Sequence, residues 1–126
     1  MRLLLSLSLV VSLAASCEPE PGPPFRAQVC LQLHHHGITP TSATVYGAAG
    51  ADFPGYGGDM AARYALREEM GPTGRVCFDG LGVGPFWFAA EGYDADIRDS
   101  VRGSLPLEIT TRATEYAAEM AVSEQH

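Results

Sequence analysis

"RAQVCLQLHHHG", Arg26 to Gly37, decides the fold class. Ala27, Val29, Leu31 and Leu33 recur at every second position. Arg26, Gln28, Cys30 and Gln32 fall between them. A two-residue period puts successive side chains on opposite faces, so the segment reads as a half-buried β-strand, with a helical stripe ruled out by the spacing. Gly37 and Pro40 end it. Three histidines stand where the apolar run gives out, and the same phase governs their reading. On a continued strand His34 and His36 project to one face, about 7 Å apart. His35 points to the other.

The alternation recurs further on. Ala43 to Tyr46 is a short strand with Val45 inward, followed by the glycine-rich loop "AAGADFPGYGGD". Val76 and Phe78 point inward on a strand whose Cys77 points outward. Phe86, Phe88 and Ala90 alternate with Trp87, Ala89 and Glu91. Leu105, Leu107 and Ile109 alternate again. Two stretches stay open between strand and helix. In 60–70, "MAARYALREEM", the residues are helix formers, with Asp59 as a cap and Gly71-Pro72 as a stop. Yet "EEMGPTGRVCF" also reads as a hairpin, with Pro72 and Gly74 in the turn. In 113–123, Tyr116, Ala118, Met120 and Val122 alternate, although "ATEYAAEMA" also suits a helix. Many short strands with frequent turn signals predict an all-β sandwich. Its test is whether Val29, Leu31, Val76, Phe78, Phe86 and Phe88 share one interior.

The start of the chain reads as a targeting segment, residues 1–16. Arg2 precedes an apolar run from Leu3 to Ala15, and small residues lead to Cys17. That is the order of a secretory signal. The apolar run, about 13 residues, is short of the roughly 20 that span a bilayer. "LAASC" resembles the lipobox of bacterial lipoproteins, which implies lipidation at Cys17; an ordinary cleavage near Ser16 is the alternative. Residues 17–24, rich in proline, read as an extended tether. The globular domain then occupies 25–126. An exported, lipid-anchored chain is expected at the membrane surface, the outer membrane being the location the resemblance favours.

Composition narrows the function. The chain has eight basic and 15 acidic residues, a formal charge of −7. Only Arg2 among them precedes Cys17, so the portion from Cys17 carries −8. An acidic domain without a basic cluster is a poor partner for nucleic acid. There is no lysine for Schiff-base chemistry and no asparagine for N-glycosylation. With Cys17 assigned to the lipid, Cys30 and Cys77 remain. Export favours their oxidation. Both lie at outward positions, so a bridge between neighbouring strands is expected, against the alternative of two free thiols.

The residues from Gly74 to Asp94, "GRVCFDGLGVGPFWFAAEGYD", resemble the transthyretin-like, or carboxypeptidase regulatory-like, β-sandwich group. A narrower likeness is to small bacterial envelope lipoproteins that combine the matching positions His34 to His36, Val45-Tyr46, Phe53 to Gly55, Tyr64, and Gly92 to Asp94. The likeness implies about seven antiparallel strands in two sheets. It also implies the hairpin reading of Tyr64 to Phe78 and a last strand near Tyr116 to Ser123. Members of the group mostly bind, prop or orient other modules, and fold alone assigns no chemistry.

Three function classes follow. The first is a non-catalytic binding or scaffolding module of the envelope with a protein partner. Trp87 and Tyr46, outward by phase, are the candidate partner surface if they form an exposed apolar patch; a covering loop is the alternative. The second is a transition-metal protein using His34 and His36, with His35 adjacent and Asp52, Asp59, Asp94 or His126 as further ligands. Imidazole suits zinc or copper. No Cys-x-x-Cys or His-Glu-x-x-His accompanies the histidines, and the favoured alternative is solvated residues at a strand end or a histidine hydrogen-bonded to a neighbouring loop. The third and weakest is a hydrolase. "VRGS", Val101 to Ser104, is similar to the terminal motif of 5-hydroxyisourate hydrolase, but it lacks that motif's tyrosine and lies inside the chain. Asp94, Asp96 and Asp99 lack the ligand number of a calcium loop and read as an acidic turn.

Overall fold

The computed structural model describes residues 25–124. Eight strands and one helical turn follow in the order β1 (Ala27–His34), β2 (Ser42–Ala49), α1 (Met60–Arg63), β3 (Leu66–Glu69), β4 (Arg75–Leu81), β5 (Gly84–Asp94), β6 (Asp99–Ile109), β7 (Glu115–Ala121) and β8 (Ser123–Glu124). They form a three-stranded sheet, β4-β1-β7, and a five-stranded sheet, β3-β2-β5-β6-β8. The fold is all-β and sandwich-like, as the alternation predicts. No helix among the described residues is long and apolar enough to cross a membrane.

The interior is built from the inward phase of both sheets. Val29, Leu31, Val76 and Phe78 from the smaller sheet meet Phe86, Phe88, Val45, Val101 and Ile109 from the larger one. The Phe78 and Phe88 rings lie 5.2 Å apart, and Phe88 has no exposed surface. Burying such a ring contributes on the order of 2–3 kcal/mol by transfer alone. Met120 and Val122 add the inward face of the last part of the chain. The six residues on which the sandwich reading rests therefore share one core.

Three details differ from the sequence reading. There are eight strands, and the pairing is not wholly antiparallel, because β1 and β7 run parallel from Gln28↔Glu115 to His34↔Ala121. Segment 60–70 is neither helix nor strand throughout. One helical turn, Met60–Arg63, is followed by β3. Last, Tyr64 to Phe78 is not a hairpin. β3 pairs with β2 in the large sheet and β4 pairs with β1 in the small one. Pro72 and Gly74 belong to a turn that crosses between layers; there Gly74 N–H donates to the Gly71 carbonyl at 3.0 Å. Turn chemistry marks a reversal of direction, and either connection satisfies it.

The sheets close tightly where β6 meets the end of β7. Gly103 sits there, and a Cβ on it would collide with the Ala121 carbonyl oxygen. Covalent closure comes within the smaller sheet. Cys30 and Cys77 are directly opposite in the β1–β4 register and are joined by a disulfide that spans 47 residues of sequence.

The outer face of the large sheet is covered by its own chain. The segment after β2 folds back over Tyr46 and Trp87, and Ala48, Met60, Tyr64 and Ala89 form a second small apolar cluster. Ala89 points outward by phase and is nevertheless fully buried.

Candidate functional site

The site begins with a turn. β1 ends at His34, whose carbonyl accepts the Val122 N–H at 2.9 Å. His35 and Ile38 then exchange backbone hydrogen bonds of 2.6 and 3.1 Å around the two-residue loop His36-Gly37. Both loop residues have positive φ, 51° and 80°. That is the geometry of a type I′ hairpin turn, which glycine favours at its second position and histidine tolerates at its first. The turn breaks the strand phase and swings His36 toward the side on which His35 lies.

His35 is buried, with 1% of its surface exposed. Its Nδ1 lies 2.6 Å from Asp94 Oδ2 and its Nε2 lies 2.9 Å from Glu124 Oε2. Asp94 is the last residue of β5 and is 2% exposed. Its other oxygen accepts the Asp96 N–H at 3.0 Å. Glu124, on β8, keeps some contact with solvent, and its Oε1 lies 3.3 Å from His36 Nε2. One imidazole thus joins the end of the small sheet to two strands of the large one.

Electrostatics fix its protonation. Hydrogen bonds to Asp94 and then Glu124 raise the His35 pKa, and burial opposes them less strongly. The His35 hydrogen bond, helped by the Asp96 N–H, holds Asp94 below its ordinary range. Glu124 is pushed down to about 2, by the His35 hydrogen bond first, then by its own backbone N–H and by His36. A buried carboxylate and a part-buried one beside a neutral ring would leave charge uncompensated in a low dielectric. The raised pKa of His35 and its two carboxylate partners favour the protonated ring, which donates from both nitrogens. Among the described residues no buried side-chain nitrogen or oxygen lacks a hydrogen-bond partner.

The sequence-derived site residues fall in different places. His34 and His36 do not converge, contrary to the pairing that strand phase implies. His34 Nε2 lies 3.8 Å from Glu119 on β7, on the outer face of the small sheet, while the I′ turn carries His36 to Glu124. The histidine read as pointing away, His35, is the centre of the site. Of the proposed extra ligands, Asp94 is part of it. Asp52 and Asp59 are exposed in the segment between β2 and α1, and His126 lies outside the described residues. Cys17, the leader and the tether also lie outside them.

Trp87 and Tyr46 do not form an open patch. Trp87 donates its indole N–H to the Ala51 carbonyl at 3.0 Å, and its ring lies 5.0 Å from Phe53. Tyr46 packs 5.9 Å from Tyr64, with Arg67 above its ring. Asp96 lies in the turn between β5 and β6, and Asp99, the first residue of β6, accepts the Ser100 N–H. In the "VRGS" stretch Val101 is buried in the core and Arg102 pairs with Glu91 at 3.5 Å and lies over the Tyr56 ring.

Glu124 escaped the sequence reading altogether. It lies 89 residues from His35, and no local pattern marks it. The His36-Gly37 dipeptide was the legible signal, because it has the form of a two-residue hairpin turn. No protein-family model matches this chain, and no curated protein is significantly similar to it.

Proposed function

We propose that this chain is a non-catalytic binding module of a bacterial cell envelope, exported and held at the membrane by a lipid on Cys17. In this reading the domain is related to the transthyretin-like group, and its partner is another envelope protein. One observation carries the binding assignment. The two ends of the sandwich differ in what they offer. The chain enters β1 at one end, next to the tether. Eight residues of strand, about 26 Å, separate that entry from the His35 end. At the far end stand the ionic centre and three of the five exposed large apolar side chains among the described residues, Ile38, Tyr93 and Ile97; Val83, between β4 and β5, and Phe53, after β2, lie toward the entry end. A tethered module that presents exposed apolar side chains beside polar groups on its remote end offers a surface that can meet a partner.

Chemistry at the centre supports binding over catalysis. A general base needs a ring nitrogen free to face a substrate or nucleophile. Both nitrogens of His35 face carboxylates. A photo-crosslinking residue replacing Tyr93 is expected to trap an envelope protein in living cells, and one replacing Asp79, near the tether end, is not. Equal adducts from both positions, or none from 93, would remove the reading. Fatty-acid labelling of the same chain, lost in Cys17→Ala, is the expected sign of the anchor.

A further inference from the structure

The ionic centre contains more than a structural clamp requires. His35, Asp94 and Glu124 alone tie the two sheets together. His36 is not needed for that tie: its side chain is 71% exposed, it is at the tip of a turn, and it nevertheless directs its ring toward Glu124 rather than into water. Its backbone adopts a left-handed conformation that side-chain-bearing residues seldom take. Two consecutive histidines, which a strand would send to opposite faces, are thereby brought to one carboxylate, with ring centroids 4.2 Å apart.

We propose that His35 Nε2, His36 Nε2 and the Glu124 carboxylate form a binding site for a divalent first-row transition ion, zinc or copper in class, with Asp94 as the positioning residue behind His35. One donor atom from each of His35, His36 and Glu124 lies within 4.8 Å of the others. Around a tetrahedral ion with bonds of about 2.0–2.1 Å, neighbouring donors stand roughly 3.3 Å apart. His36 Nε2 lies 3.3 Å from Glu124 Oε1 and His35 Nε2 lies 2.9 Å from Oε2, so each imidazole already stands near that spacing from its own oxygen of the one carboxylate. Two imidazoles and one carboxylate suit zinc, copper or nickel and are a poor set for calcium or magnesium, which take oxygen ligands.

Asp94 supplies the feature that separates a metal ligand from a chance histidine pair. Metal-bound imidazoles usually donate their second N–H to a carboxylate or carbonyl, which fixes tautomer and ring orientation. Asp94 holds Nδ1 of His35 in that manner, is itself buried, and is oriented in turn by the Asp96 N–H. The ion takes the place of the proton on Nε2, which passes to solvent, while Nδ1 keeps its proton toward Asp94. Glu124 changes from hydrogen-bond acceptor to ligand without moving to another part of the fold. Three protein donors leave a coordination position open, and the exposure of His36 gives the ion a path from solvent. The site goes beyond the module reading, and neither depends on the other: a chain that binds no ion can still be captured on a partner, and the reverse.

The test is titration of the full-length chain with Zn²⁺ and Cu²⁺ as probes, read by calorimetry and, for copper, by electron paramagnetic resonance. One ion per chain is expected, with nitrogen hyperfine structure from two imidazoles. His36→Ala should weaken binding at least tenfold and reduce the signal to one imidazole, and Glu124→Gln should weaken it similarly. Asp94→Asn should weaken it by about 10- to 100-fold. A His34→Ala/His126→Ala double variant should bind as the parent does. His36 is exposed and its side chain's polar contact is the 3.3 Å approach to Glu124, so His36→Ala should cost little stability, and a cooperative melt close to the parent's will separate its binding result from folding. Absence of stoichiometric binding by the parent, unchanged binding by His36→Ala, or loss of binding in the His34→Ala/His126→Ala chain would overturn the assignment.

Discussion

Two cross-links hold β1, and they differ in kind. The Cys30–Cys77 bridge is covalent, lies within the small sheet and joins a strand to its direct neighbour. The His35 centre is electrostatic, lies at one end, and joins that sheet to β5 and β8 of the other. A disulfide acts mainly by restricting the unfolded chain, so the folded geometry need only accommodate it. The ion pair has no such effect on the unfolded state. It stabilises only while all three groups are in place, and losing one leaves the others buried and uncompensated. The bridge therefore answers to redox conditions and the centre to pH and to side-chain identity. Breaking them separately would show how far the two supports are independent.

The largest effect is expected from the bridge. For a loop of this span the chain-entropy account gives about 4 kcal/mol, which is comparable with the whole stability of a domain this small. Denaturant unfolding of Cys30→Ser/Cys77→Ser, or of the reduced protein, should show the unfolding free energy falling by that amount; a loss below about 1 kcal/mol would mean that native strain cancels the entropic gain.

His35→Ala comes next. Removing the ring strands Asp94 beside Glu124, and a fall in melting temperature on the order of 10 °C or more is expected at neutral pH. His34→Ala, on the outer face, serves as the control and should change little. If the two variants melt alike, the centre contributes nothing to closing the sheets.

The smallest effect is the pH dependence of the parent protein. His35 has a folded pKa above its ordinary 6.5, so its stabilisation is full below about 6.5 and is lost as pH rises through the higher folded value. Asp94 and Glu124 have lowered folded pKa values, so their share is present above about 4 and is lost as pH falls, for Glu124 toward about 2. Stability should therefore be highest between about pH 4.5 and 6.5 and decline on both sides. In His35→Ala the alkaline decline should vanish. Urea midpoints across pH 3 to 9 would check this, and a maximum at pH 8 or above would contradict it.

Period-two alternation made the core legible. Val29, Leu31, Phe86 and Phe88 each lie inward because a pleated strand leaves no other option. The same rule put Cys30 and Cys77 at outward positions, and the β1–β4 pairing that makes them neighbours lets them bond. It failed where the backbone left the strand. Phase assigned His34 and His36 to one face, and the positive φ at His36 undid that assignment. Asp94 was read as one of several candidate further ligands and as a carboxylate of an acidic turn, but no local pattern placed it against His35. Glu124 and the parallel β1–β7 pairing come from long-range closure, which local pattern does not encode. The cover over Trp87 and Tyr46 was hidden for a related reason: phase shows which way a side chain points, and says nothing of which loop returns to lie on it.

The neighbours chosen by β1 carry a consequence for biogenesis. Its first partner, β4, begins at Arg75, and its second, β7, at Glu115. The opening strand of the domain thus stays unpaired through most of synthesis and can complete its ladder only after nearly the entire polypeptide has emerged. Such distant pairing slows folding. Under the export proposed above, that delay would be an advantage, because the domain could not lock shut before it is threaded across the membrane.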